Sequence, residues 1–530
     1  MLPPLVLRPP LGPWLLRGIV LILAFIFHVV TAGWGQISNG REGDLASAAR
    51  QMVLEQTWHC PETLSGTGPL TLWLAKASMT LLGINEFAAR LPTALAVIAF
   101  LWYTLRIGEA AAGIWRGFVA AMLLLCTPGV ATMACNLTPA PLLTASIAAS
   151  VYGLMRAFLE REPRRSFFRR TWIAMALGFL ANGWAALLVP VGIVVGMMVC
   201  YHTARMRFRH FFHWEAVLYL AATAGVAWAT GYRGIPPVSS PETAGWRLLV
   251  WQPALFFPWS LLLLPAVLTL FKRFLSRNAL DETEAFPLLW IVTGVVTLLL
   301  VPRASLFDTM LLWPAMALWC AQKLEVTPRR GLLRAMTSVL ILSVGGLILA
   351  SRLKPVLTWF FPSMHDFIHG IPGYLWSAIA SVVFIAMLAF LLFSGAAAIF
   401  EYQHHRRFSV IAFFAAMIPA TYAFADTSAK FAPYFSYADI AHCLSGSPHP
   451  LLVTETPYAS TSLRFYLDPK MSPTFVPMAE AMRLWQQQPE AFIITRRTQL
   501  PEWEKLLGSV ELTCASGGMV LIHAAPEKTP

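Results

Sequence analysis

The sequence predicts a polytopic α-helical membrane protein of about 13 transmembrane helices followed by a C-terminal soluble α/β domain. Three observations predict it. The 530 residues are 57% hydrophobic and only 12% charged, with a mean hydropathy of +0.61. The apolar residues gather into blocks close to the roughly 20 that a helix needs to cross a bilayer, separated by short charged connectors. From about Asp426 the pattern changes to short β-branched runs such as HPLLVTET, AFIITRR and GMVLIHA, alternating with helix-like stretches such as MAEAMRLWQQQ.

The first block, from Trp14 to about Trp34, is too long for the apolar core of a cleavable signal peptide and reads as an uncleaved anchor. Further spans are expected near 86–105, 114–131, 141–158, 171–182, 185–201, 213–231, 255–271, 285–301, 305–321, 333–350, 374–399 and 408–425. The span at 171–182 is short and only ANGW separates it from the next, so the two also read as one broken hairpin. Placing the N-terminus in the cytoplasm puts RAFLEREPRRSFFRR, ARMRFRH, KRFLSR, QKLEVTPRRGLLR and HHRRF all on the cytoplasmic side. The net charge of +12 is then topological and calls for no nucleic acid. This divides the chain into a transmembrane domain, 1–425, with a first external loop at 35–85, and an external α/β domain, 426–530. Cys443 and Cys514 both fall in the latter, where an external setting permits a disulfide; two unpaired buried cysteines are the alternative. The seven cysteines show no CxxC or similar ligand spacing, and no glycine-rich phosphate loop occurs, so neither a metal nor a cofactor is expected.

The stretch NGREGDLASAARQM, 39–52, concentrates charge in the first external loop. A membrane enzyme acting on a lipid-linked substrate needs acid–base groups at the membrane surface and cations to hold phosphate. A helix from Asp44 to Glu55, also projecting Arg50, is expected along the interface, with Glu42 and Asp44 at its N-terminus, where the helix dipole favours carboxylates. The alternative is that both acids merely cap a helix on a solvated loop. The segment GPLTLWLAKASMTLLG, 68–83, is too short to span and carries Lys76, so it reads as a second interfacial helix with Lys76 reaching toward headgroups. Asp308 falls inside a span, where a carboxylate is a functional candidate, and pairing with Arg303 is its simplest fate. His365, Asp366 and His369 have helical ligand spacing without a third partner in view and read as a surface loop. Asn136 opens the sequon NLT, a common pattern.

The runs EGDLASAARQM and GPLTLWLAKASMTLLGINEFAARLPTAL resemble the first external loop of GT-C membrane glycosyltransferases of the aminoarabinose transferase and protein O-mannosyltransferase (dolichyl-phosphate-mannose-protein mannosyltransferase-like) type. There a DE pair precedes a helix ending like AREM, followed by EKPPL and LFGxNEFAARLP. PALFFPWSLLLLPAV, LLWPAMAL and LLVTETPYASTSLRFYL extend the likeness over nearly the whole chain. The resemblance implies a GT-C-like fold and, on the external face, transfer of a sugar from a polyprenyl-phosphate donor to a lipid or protein hydroxyl with inversion, an external-loop Asp serving as base. Residue by residue, it sets Arg41 at that Asp and Glu42 on the acid that follows. SGTGPL shortens EKPP, so the Glu and the phosphate-binding Lys of that motif have no counterpart. Pro139 stands for an Asp of the second external loop and Asn182 for the Lys of a KG pair. Arg303 takes the place of the basic residue before the tenth span and is the carried-over donor-phosphate ligand.

The function expected is therefore a membrane glycosyltransferase, with Glu42, or one turn on Asp44, as base and Arg303 on the donor phosphate. Its partners are a polyprenyl-phosphate-linked sugar, a lipid or protein acceptor and membrane lipids, in a bacterial inner membrane with the C-terminal domain periplasmic. Loss of several phosphate-binding cations is hard to offset, because the leaving phosphate develops charge. That motivates the alternative, a catalytically silent homologue that binds a lipid-linked sugar or partners another membrane protein. A secondary transporter is disfavoured by the lack of an evident internal repeat.

Overall fold

The computed structural model describes residues 12–61, 68–133, 136–160, 164–208, 211–234, 245–256, 259–260, 263, 281–301, 305–326, 341, 344–345, 347–348, 352–360, 372–444, 450–454, 460–488, 490–507, 510–516 and 518–524. Helix α1 (Pro13–Ala24) begins at a proline, whose missing N–H costs nothing at a helix start. The same rod continues through a π-turn at Phe25–Val29 and a 3-10 turn at Val30–Gly33. Two shorter helices follow, α2 (Arg41–Leu54) and α3 (Pro69–Leu82), packed on each other through Leu45, Ala49, Met52, Leu72 and Met79. Helix α4 (Glu86–Ala112) starts at Asn85, whose side-chain oxygen accepts the Ala88 N–H at 2.8 Å. The chain then forms α5 (Ile114–Leu125), α6 (Pro128–Met133), α7 (Ala140–Leu159), α8 (Arg165–Asn182) and α9 (Ala185–Cys200). Later helices cover Trp214–Ala229, Glu282–Leu300, Trp313–Val326, Gly373–Tyr402 and Arg406–Phe431.

Among the described residues, 6 helical stretches are long and apolar enough to cross a membrane: Pro13–Gly33, Glu86–Ala112, Ala140–Leu159, Thr283–Leu300, Gly373–Tyr402 and Arg406–Phe435. The spans expected at 255–271 and 333–350 lie for the most part outside the described residues. Three helices outrun their apolar blocks by six residues or more, α4 among them, ending at Ala112 rather than 105. Helix α8 starts at Arg165 rather than 171, and the last long helix runs to Phe431 rather than 425, helped by a Lys430–Asp426 pair one turn apart at 2.5 Å. An apolar block marks membrane depth, whereas helix length is set by where the backbone hydrogen bonding stops.

The bundle packs around Phe100, Trp290 and Trp313, all fully buried. Helices α4 and α5 cross at Gly108 and Gly117, where a Cβ on Gly117 would stand 2.2 Å from the Leu105 carbonyl oxygen. Only the absence of a side chain permits so close an approach. The C-terminal part forms a 5-stranded sheet of β1 (Leu451–Val453), β2 (Pro473–Phe475), β3 (Phe492–Arg496), β4 (Val510–Ser516) and β5 (Met519–Ala524) in the order β2-β1-β3-β5-β4. Strand β1 runs parallel to β2 and β3, so helices Thr461–Tyr466 and Met478–Gln487 serve as crossovers; β5 lies antiparallel between β3 and β4. Cys443 and Cys514 form a disulfide that ties the helix Ala438–Cys443 to β4.

Candidate functional site

Gly40 sits at φ +82° and ψ −141°, a conformation that glycine adopts without strain, and turns the extended chain after the first span into α2. The helix accordingly begins at Arg41 and not at Asp44. Successive helical residues point about 100° apart, so Glu42 faces away from Arg41, while Asp44, three residues on, stands beside Arg41 on the helix.

Glu42 faces α4. Arg90 donates to it twice, from Nε to Oε1 at 2.7 Å and from Nη2 to Oε2 at 3.2 Å. The Leu137 N–H reaches Oε1 at 2.9 Å, and Ser38 gives Oε2 its N–H at 2.9 Å and its hydroxyl at 2.7 Å. Arg90 also donates to the carbonyls of Trp34, Gly35 and Gln36 at 3.0, 2.8 and 2.9 Å. Arg90 and Glu42 are only 3% and 4% exposed. Burial pushes the Glu42 carboxyl up, but the Arg90 charge and the hydrogen bonds from Arg90 and Ser38 outweigh it and hold the group below the usual carboxylate range. With its lone pairs so occupied, Glu42 fastens the exit of the first span, α2, α4 and the loop at Leu137 together. Sequence reasoning passed over Arg90; the available signal was an arginine at the head of an otherwise apolar span.

Arg41 faces the other way, toward the ends of α8 and the tenth span. Its Nη1 donates to Ser305 Oγ at 3.0 Å and lies 3.9 Å from Asp308 Oδ2, while Nη2 approaches Asn182 Oδ1 at 3.4 Å. Asn182 Nδ2 donates to Asp308 Oδ1 at 2.6 Å. Ser305 and Asp308 close a capping box on the 3-10 turn Leu306–Leu312, with Ser305 N–H and hydroxyl on Asp308 Oδ2 at 2.7 and 2.8 Å. Arg41 Nε is buried without a partner among the described residues. The positions singled out in sequence at Arg41, Asn182 and Asp308 thus meet in one cluster, while Arg303, expected to pair with Asp308, lies outside the described residues, as do His365, Asp366 and His369.

Asp44 is half-buried and accepts no hydrogen bond among the described residues. Burial raises its carboxyl to about 6 against the opposing charge of Arg464. Lys76 does not reach outward. It is buried, donates to the Thr57 carbonyl at 2.8 Å and lies 3.9 Å from the centre of the Trp58 ring, because the α2–α3 connector folds back over it.

Two cavities lie among these helices. One of about 430 Å³ is lined by Trp34, Gln36, Ser38, Arg90, Asn136 and Phe431. The other, an apolar groove of about 1060 Å³, runs between α3, α4, α7 and α8 past Leu74, Leu91, Leu95, Leu142 and Leu177. Helix α8 leads from that groove to Asn182 at its C-terminal end.

Residues 66–228 match the family described as dolichyl-phosphate-mannose-protein mannosyltransferase. No curated protein matches the chain in sequence. In fold it is similar to ArnT from Cupriavidus metallidurans bound to undecaprenyl phosphate, at a TM-score of 0.77 and 16% identity over 97% of this chain and 98% of that one. The apo state of that ArnT gives 0.75, at 16% identity over 97% of both chains. The oligosaccharyltransferase of Archaeoglobus fulgidus in the apo form gives 0.51 at 11% identity, over 98% of this chain and 75% of that one. The chain is thus a membrane protein with an ArnT-like fold.

Proposed function

We propose that the chain is a membrane glycosyltransferase that moves a sugar from a polyprenyl-phosphate donor to a lipid or protein hydroxyl on the external face of a bacterial inner membrane. One observation carries the reading. The first turn of α2 presents a cation, Arg41, toward a polar cluster at the end of α8 and, one turn on, a carboxylate without a hydrogen bond, Asp44, with its proton affinity raised to about 6. A base near the working pH is the condition for efficient proton abstraction.

In this reading the polyprenyl tail occupies the apolar groove between α3, α4, α7 and α8, and its phosphate meets Arg41. Arg303 keeps the phosphate-binding role that the resemblance assigns. The acceptor oxygen bonds to the anomeric carbon as the bond from that carbon to the phosphate oxygen breaks. The hydroxyl proton passes to Asp44, and the polyprenyl phosphate leaves against Arg41, whose charge offsets the charge that develops. Glu42, consumed by Arg90, anchors the turn rather than taking the proton. The disulfide Cys443–Cys514 supports a periplasmic C-terminal domain, since such bonds persist in oxidising compartments.

A silent, lipid-binding homologue is the second reading, and it is favoured by Arg41 standing where the family carries its acid. Mass spectrometry of envelope lipids and glycans, in a deletion strain complemented with wild type or Asp44→Asn, separates the two. A sugar-sized mass restored only by wild type supports the transferase with Asp44 as base. A mass absent from both wild type and variant favours the silent homologue, and one restored by both removes Asp44 from the role.

A further inference from the structure

We infer that the C-terminal domain completes the site, with Thr461 and Ser462 acting as positioning residues for the turn that carries Arg41. The inference rests on the functional reading above and deepens it. The N-terminus of α2 has no cap of its own: Gly40 precedes it without a side-chain cap bond, leaving N–H groups that need partners. One of them finds its partner 421 residues away. The Gly40 N–H donates to Thr461 Oγ1 at 2.8 Å, and the same hydroxyl donates back to the Gly40 carbonyl at 2.9 Å. Next to it, Asn39 Oδ1 accepts both the N–H and the hydroxyl of Ser462, at 3.1 and 2.6 Å. One turn along α2, Ser47 donates to the Thr461 carbonyl at 2.9 Å.

The fit is tight as well as polar. A Cβ on Gly43 would stand 2.4 Å from Thr461 Oγ1 and 2.7 Å from the Ser462 nitrogen, so the two helices touch backbone to backbone. Gly40 in turn holds a backbone geometry that a free glycine would leave readily. Two hydroxyl side chains from the C-terminal domain therefore fix the peptide immediately before Arg41. The direction in which Arg41 projects toward Ser305 and Asn182 depends on that peptide. Arg464 on the same short helix faces Asp44, so the domain acts on both charges proposed for the chemistry.

The test compares Thr461→Val, which removes both hydroxyl bonds at nearly constant volume, with Thr461→Ser, which keeps them. Binding of undecaprenyl phosphate to the purified full-length protein in detergent is one readout; hydrogen–deuterium exchange of the 38–45 segment is the other. The expected result is binding at least about tenfold weaker and faster exchange in Thr461→Val, with Thr461→Ser close to wild type and both thermal unfolding curves near wild type. Thr461→Val within twofold of wild type in binding and unchanged in exchange overturns the inference. Should Thr461→Val not fold, Asn39→Ala, which removes both Ser462 bonds from the loop side, takes its place with the same expectation. Failure of wild type to bind undecaprenyl phosphate removes the functional reading, and exchange alone then decides the clamp.

Discussion

Arg41 and Glu42 are adjacent in the chain and each meets a charge of opposite sign, yet the two pairs are built differently. Glu42 and Arg90 share two hydrogen bonds in a nearly sealed environment, and each has further partners occupying its polar atoms. Arg41 and Asp308 stand 3.9 Å apart and touch mainly through intermediaries, Ser305 and Asn182, and the arginine keeps a buried N–H without a partner among the described residues. A buried pair of the first kind is costly to break. A pair of the second kind leaves the arginine with N–H capacity that it has not yet spent. Charge alone does not separate the two pairs; unfilled hydrogen-bonding capacity does.

The sharpest way to break this contrast is Glu42→Gln. It leaves Arg90 buried without its counter-charge, at a cost of about 3–5 kcal/mol, so the amount of folded protein in detergent should collapse; normal yield with lost product would make Glu42 the base. Asp44→Asn should act the opposite way, keeping or raising the unfolding temperature while product falls by about 10²- to 10⁴-fold. Arg41→Gln should weaken undecaprenyl phosphate binding by about 10- to 100-fold, the worth of a charged hydrogen bond, again with yield unchanged. In pH profiles of product formation, activity should rise through about pH 6 as Asp44 loses its proton. Arg464→Gln should move that rise upward, since Arg464 is the charge that holds the group down. The stability effect has the reverse sense: the folded value lies above the unfolded one, so the contribution of Asp44 to stability is full at low pH and is lost as pH rises through about 6. The smallest effect belongs to Tyr466→Phe. It deletes a hydroxyl that donates to Glu86 at 2.9 Å and accepts the Ile37 N–H at 2.7 Å, for about 1 kcal/mol in thermal unfolding.

Much of the architecture could be read from the sequence because it is periodic. The apolar blocks locate the helices at 86–105, 141–158 and 374–399, and the β-branched runs locate β1, β3 and β5, since a bilayer and a buried sheet each impose a local pattern. The charged turn at 39–52 was also legible as a place, because charge is rare in this chain. The partner of Glu42 was not. Arg90 is 48 residues away and becomes its neighbour only when α4 packs beside α2, a relation that no local pattern encodes. The same holds for Arg41, which meets Ser305 only through tertiary packing. Alignment to a family motif brought Asn182 into view but not its bond to Asp308, because a motif gives residue types and not contacts. The cysteine pair was left open for the same reason, and the fold closes it.

The bonds between Gly40 and Thr461 also set an order of events. During synthesis the first external loop emerges early, whereas the hydroxyl that fixes it is 421 residues further on. At translation rates of about 5–20 residues per second, the loop waits roughly 20 to 80 seconds for its partner. Arg41 therefore acquires its working direction only after the last membrane helix is in place and the C-terminal domain has folded. A chain interrupted before residue 461 would carry Arg41 and Asp44 without the contacts that fix the turn between Asn39 and Arg41.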